Sequence, residues 1–186
     1  MTEQIAMKHG LKWLFWGLLI TVIQVNIFVL GTFVQSLLSF AMLYYSVRFF
    51  KQRTNIPFYL AILVVLSLLN NNLAMMGSSS FNWIVLLGSI VHVLLISEFG
   101  KILASIEQKL SANDFTARII SRYVKVHLVV LFIFTFMMNL NSDIQLVILT
   151  FGTVMLVSMK IMLIMHIHNL RKHLKMRMTS SIYNKK

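Results

Sequence analysis

His92 falls inside an apolar run of this chain, and intramembrane ionisable residues are functional candidates by default. A neutral His92 bonded to a neighbouring helix is the first reading. A haem would need a second axial ligand facing it at similar depth. His127 is the one residue within about a turn of that depth. His166 and His173 are seven residues apart and share a helical face, but Arg171, Lys172 and Lys175 surround them. That setting reads as a solvated basic face and is poor for a cation. Lys160 also lies in an apolar run, ~24 Å along the helix from Ile144, where its stem can snorkel to the interface. Gly77-Ser78-Ser79-Ser80 has the Gly-x-Ser pattern of intramembrane serine proteases, but a base must stand within hydrogen-bond reach. His127 should be ~20 Å away in depth, because the hydrocarbon core is ~30 Å thick. A polar turn is the reading for these serines.

Carboxylates do not lie deep in any run: Glu98 is at the end of one and Asp143 in a gap between two others. This counts against intramembrane aspartyl proteolysis, a carboxylate proton relay and a carboxylate-held magnesium. The chain has no Cys, which excludes disulfides, thiolate metal sites and a cysteine nucleophile. It has no phosphate-cradling Gly pattern. No catalytic residue, metal ligand or cofactor is expected.

Side-chain amides are distributed unevenly. Gln24, Asn26, Gln35, Asn70, Asn71, Asn72, Asn82, Asn139, Asn141 and Gln145 all map to one half of the apolar runs. Buried amides must be bonded, so they serve as interhelical glue. They also supply donors and acceptors together, as a pocket for a small neutral or zwitterionic solute requires. Gln24, Asn26, Gln35, Asn71, His92, Asn139 and Gln145 are the candidate lining of such a pocket.

The elements that position these groups follow from the charges. The gaps between apolar runs alternate between basic and base-free. Lys8 and Lys12 precede the first run, and the gap at Gly31 has no basic residue. Arg48, Lys51 and Arg53 fill the next gap, and Asn70 to Ser80 has none. Lys101, Lys109, Arg118, Arg122 and Lys125 follow, and the gap at Asn141 has none. Lys160 and the basic residues from Arg171 to Lys186 close the chain. Cytoplasmic loops carry the excess of Lys and Arg. The pattern predicts an all-α polytopic membrane protein with six spans and both termini in the cytoplasm, in a bacterial plasma membrane. The spans are about 13–30, 33–50, 57–76, 81–96, 123–140 and 144–168, the last helical past Lys160 and as far as Leu174. Gly31-Thr32 breaks one long apolar stretch into a hairpin, and Pro57 suits a first helical position. Trp13, Trp16, Tyr44, Tyr45, Phe58, Tyr59 and Tyr123 mark the inner interfacial belt, and Phe81 and Trp83 the outer one.

Residues 98–122 read as an amphipathic cytoplasmic linker, and 170–186 as a basic tail. Leu103, Ile106 and Leu110 recur at helical spacing, Ser111 to Asp114 interrupt, and Phe115, Ile119 and Ile120 resume opposite Arg118 and Arg122. Such a segment lies on the membrane or docks a partner protein. Leu103, Ile106 and Leu110, with Arg171, Lys172, Lys175 and Arg177, are the candidate partner or lipid contacts. The composition agrees with one membrane domain: 58% hydrophobic and 12% charged, where soluble domains carry roughly 25% charged residues. The net charge of +12 is spread over every predicted inner loop, which points to anionic inner-leaflet lipid rather than nucleic acid. An apolar run follows Lys8 and Lys12 without a small-x-small cleavage site, so no cleavable signal peptide is expected.

The segment Gly10-Leu11-Lys12-Trp13-Leu14-Phe15-Trp16-Gly17-Leu18-Leu19, followed by Asn26-Ile27 and a short hairpin, resembles a group of small uncharacterised six-span proteins of Gram-positive bacteria. The likeness covers the first 50 or so residues. Val29 to Val34 stands where that group has an acidic, Pro-containing hairpin and an aromatic-Gly stretch. The resemblance implies six spans and no known activity. The size is similar to the membrane-embedded substrate-binding components of vitamin importers, whose small-residue docking motif is not visible in the first run. It is also similar to quorum-sensing peptide-processing proteases, which need a Cys. The expected function is that of a non-enzymatic accessory or regulatory component acting through partner proteins. The alternative is a small-solute-binding component of a transporter.

Overall fold

A computed structural model describes residues 3–23, 29–50, 54–75, 81–110, 115–137 and 142–183. They form six α-helices: α1 (Glu3–Val22), α2 (Val29–Phe50), α3 (Ile56–Met75), α4 (Phe81–Lys109), α5 (Phe115–Met137) and α6 (Ser142–Tyr183). Each helix packs on its sequence neighbours, and α6 packs back on α1, so the six form a closed ring. Three helices are long and apolar enough to cross a membrane, over Leu86–Lys109, Phe115–Phe136 and Asp143–Arg177; Ile56–Asn70 is a shorter apolar helix.

Local chemistry sets several of the ends. The Asn55 carbonyl accepts the Tyr59 N–H at 3.1 Å, so Asn55 caps α3 and Pro57 sits in the first turn. A first-turn N–H has no intrahelical partner, so its loss at Pro57 costs nothing. At the end of α4, the Leu110 N–H is shared between the carbonyls of Ile106 and Glu107, each at 3.0 Å. The expected hairpin break at Gly31 falls inside α2, which starts at Val29.

The first two helices meet through missing side chains. A Cβ on Gly17 would stand 2.8 Å from Leu43 Cδ2 and 3.2 Å from the Leu43 backbone nitrogen. A Cβ on Gly10 would stand 2.6 Å from the Phe50 ring. Close backbone approach then brings the Ser39 hydroxyl to the Gly17 carbonyl at 2.9 Å.

The buried core lies at the end of the bundle that carries the basic residues. It draws Leu11 and Leu14 from α1, Leu43 from α2, Ile56 and Leu60 from α3, and Leu95, Phe99 and Leu103 from α4. Ile119 and Tyr123 come from α5, and Leu163, Ile167, Leu170 and Leu174 from α6. Two expectations change here. Residues 98–122 are not a surface linker, because α4 runs unbroken to Lys109 and α5 starts at Phe115. Leu103 and Ile106 are 0% and 3% exposed, and Leu110 packs against the core, so they do not form the outward-facing apolar stripe of a surface helix. Residues 170–183 are not a separate tail either: they continue α6, with Leu170 and Leu174 buried. The physical reason is shared. The apolar stripes of these segments find one another and close the ring instead of facing outward.

The far half of the ring is different. Leu128, Phe132 and Phe136 on α5, and Leu146, Val147, Phe151 and Val154 on α6, stay exposed. Of the expected belt residues, Trp16, Tyr44, Tyr45, Phe58 and Trp83 are exposed too, and Trp13 and Tyr59 are half-buried. Tyr123 departs from that set, being completely buried. Because Leu43 contributes a backbone atom at Gly17, a methyl there cannot be absorbed by side-chain rotation. Gly17→Ala is expected to destabilise by ~1–3 kcal/mol. Gly88 has nothing within 4 Å of its would-be Cβ. Gly88→Ala should therefore be neutral or gain up to ~1 kcal/mol of helix propensity. Thermal unfolding of the two variants in the same detergent checks the pair.

Candidate functional site

The expected amide pocket does not assemble among the described residues. Gln24, Asn26 and Asn139 lie outside them, and Asn71 lies in α3 with its side chain outside them. Gln35 donates to the Ile20 carbonyl at 3.0 Å and to the Ile23 carbonyl, tying α2 to the end of α1. That is the glue role. Gln145 is half-buried on α6, on the other side of α1 from Gln35 in the ring order.

His92 instead joins a cluster that the sequence left dispersed. Its ring centroid is 6.1 Å from that of His127 and 6.5 Å from that of Tyr123, and Tyr123 and His127 are 5.7 Å apart. His127 and Tyr123 are one turn apart on α5, which brings both to the same point on α4. Lys160 of α6 lies within electrostatic reach of both imidazoles. Among the described residues, His92 Nε2, the Tyr123 hydroxyl and His127 Nδ1 are buried and lack hydrogen-bond partners. Buried polar groups are almost always paired, so three orphans in one cluster are exceptional. Together with Lys160 they offer hydrogen-bond donors to a small polar or anionic group. No set of three or more His, Asp or Glu side chains that could hold a metal occurs among the described residues.

A second cluster sits at the basic end. Glu107 is 3% exposed, and its carboxylate accepts the N–H groups of Phe115 at 3.2 Å and Thr116 at 2.8 Å. A residue of α4 therefore caps α5. Ser111 to Asp114, which interrupt the helical spacing in the sequence, lie outside the described residues. The Thr116 hydroxyl contacts His166 Nε2 at 2.7 Å, and that nitrogen is 3.9 Å from Glu107. His166 is 7% exposed and so does not belong to a solvated basic face; His173, one heptad on, is exposed. The seven-residue spacing correctly put both on one broad side of α6. It did not show that α5 covers only the first of them.

Beside this cluster a cleft of about 570 Å³ opens between α1, α2 and α4. Its floor is apolar, from Ala6, Met7, Phe49, Phe50, Ile102 and Ile106. Its rim carries Arg48, Ser105 and the Glu3–Lys109 ion pair, 2.5 Å long and exposed to solvent. Of the candidate basic contacts, Lys172, Lys175 and Arg177 are exposed and Arg171 is half-buried. Arg177 donates to the Lys109 carbonyl at 3.1 Å, which ties the α6 extension to the end of α4.

No protein-family model, curated protein or solved structure matches the chain.

The Glu107 cap has a measurable consequence. Glu107→Ala leaves two amides at the start of α5 without their acceptor and should cost ~1–3 kcal/mol. Glu107→Gln keeps one acceptor oxygen and should lose less. Thermal melts of the two variants, with His173→Ala as an exposed control, test the ranking.

Proposed function

We propose that this chain is a six-span protein of the bacterial plasma membrane with both termini in the cytoplasm. In this reading it is a non-enzymatic accessory or regulatory component that works through another protein. Three apolar helices of spanning length, with outward-facing Phe and Leu on α5 and α6, support the membrane setting. The alternation of basic and base-free gaps supports the orientation. At ~1.5 Å per residue α6 is ~63 Å long, about twice the ~30 Å core, so its basic end projects into the cytoplasm.

The observation that carries the accessory role is the cleft at the basic end. An apolar floor ringed by charges of both signs suits an aromatic or aliphatic anchor from a partner, with polar contacts around it. It lies on the packed half of the bundle, so the surface is preorganised.

A second reading is kept alive by the orphaned polar atoms of His92, Tyr123 and His127 beside Lys160. They favour a small solute with an anionic or carbonyl group, and they move the solute site from the expected amides to the α4–α5–α6 seam.

Orientation is tested with single cysteines at Ser79, Ser142 and Ser181 in this Cys-free chain. An impermeant thiol reagent on intact cells should label the first two and spare the third; labelling at Ser181 reverses the topology. The partner role is tested with photo-crosslinking residues at Met7 and Phe49 in cells, against Phe132 on the apolar outer face. A discrete protein adduct from the cleft positions alone, lost on Ile102→Asp in folded protein, is the expected result. Should both positions stay free of adducts while carboxylate-bearing solutes raise the melting temperature, the solute reading takes first place.

A further inference from the structure

We infer that the seam between α5 and α6 is a binding site for one anionic glycerophospholipid of the leaflet facing the basic end. Its acyl chain lies in the seam, and its phosphate meets Arg122 and Lys125. The inference rests on the membrane reading above and is separate from the partner cleft.

The seam is a groove of about 580 Å³. Val126, Val130 and Phe134 of α5 line it, with Ile148, Phe151 and Gly152 of α6 opposite. A Cβ on Gly152 would stand 3.0 Å from the Phe134 ring and 3.1 Å from Val130 Cγ1. Gly152 thus leaves room for the Phe134 ring and Val130 where the two helices meet along the groove. Lys125 is the sole charged residue of the lining. From Lys125 to Phe134 the groove runs ~14 Å along the helix, close to half of the ~30 Å core, the length of one leaflet's chains.

What selects the occupant is the way one face of α5 changes along its length. Arg118, Arg122, Lys125, Val129 and Ile133 follow at spacings of four, three, four and four, so they share one face. All five are exposed. The face is cationic for two turns and then wholly apolar. Among the described residues, no carboxylate pairs with Arg122 or Lys125. An apolar chain tipped with a phosphate matches both parts in order. An apolar peptide would leave the cations unmatched, and a zwitterionic lipid would bring its own cation beside them.

The test uses the full chain, purified in neutral detergent and delipidated, then titrated with phosphatidylglycerol or phosphatidylcholine of the same acyl composition. Native mass spectrometry reads the bound lipid. One phosphatidylglycerol per chain should be retained in preference to phosphatidylcholine. Arg122→Gln and Lys125→Gln should each weaken phosphatidylglycerol retention by about fivefold and leave phosphatidylcholine unchanged. Ile148→Trp, which fills the groove, should reduce both. Equal retention of the two lipids by the parent chain, or unchanged phosphatidylglycerol retention in both Gln variants, overturns the site. Charge-dependent retention combined with outside labelling at Ser181 would instead keep the site and move it to the other leaflet, which isolates a failure of the topology.

Discussion

Leu163, Ile164, Ile167, Leu170 and Leu174 turn a row of six helices into a ring. They recur at spacings of one, three, three and four along α6, so they form one continuous buried stripe. Through that stripe the last helix returns to the first, where Leu11, Leu14 and Leu18 meet it. Neighbouring helices in the chain pair by short connections, but only this closure joins the ends. The same stripe holds α6 beside α4 and α5, where Thr116 meets His166 and Arg177 reaches the end of α4.

The two halves of the ring obey different physics. In the packed half, side chains bury one another and several polar groups are paired: Glu107 with two amides, Ser39 with the Gly17 carbonyl, Thr116 with His166. In the far half, large apolar residues face outward, and Gln35 secures α1 and α2 at their join. A protein in water would bury such residues, whereas lipid takes them at no cost and leaves helices to associate by close packing and hydrogen bonds. Gly17 and Gly152 are two of the residues where that close packing shows. Between the two halves lies the cluster of His92, Tyr123 and His127, where pairing fails.

Much was legible in the sequence because its signals are local. Helicity follows from long apolar runs with one Pro, at a position where a helix can start. The separation of basic from base-free gaps is visible residue by residue. The exposure of Trp16, Tyr44, Tyr45, Phe58 and Trp83 follows from their places at run ends. Gln35 as glue follows from the cost of an unpaired amide.

Other features were decided only by tertiary structure, because each depends on which stripe covers which. Leu103 and Ile106 have the spacing of a surface amphipathic helix, and the same spacing serves a helix whose other side meets a neighbour; periodicity gives a face and not its partner. Tyr123 stands at a run end like the expected belt residues, yet it packs on His92 of α4 and is completely buried. His166 and His173 share a side of α6, and the start of α5 separates their fates. Glu107 caps a helix that begins eight residues later, a contact that exists only once α4 and α5 fold back on each other. The groove beside Gly152 likewise needs two antiparallel helices at the right register, while the cations that lead into it were present from the start in the spacing of Arg118, Arg122 and Lys125.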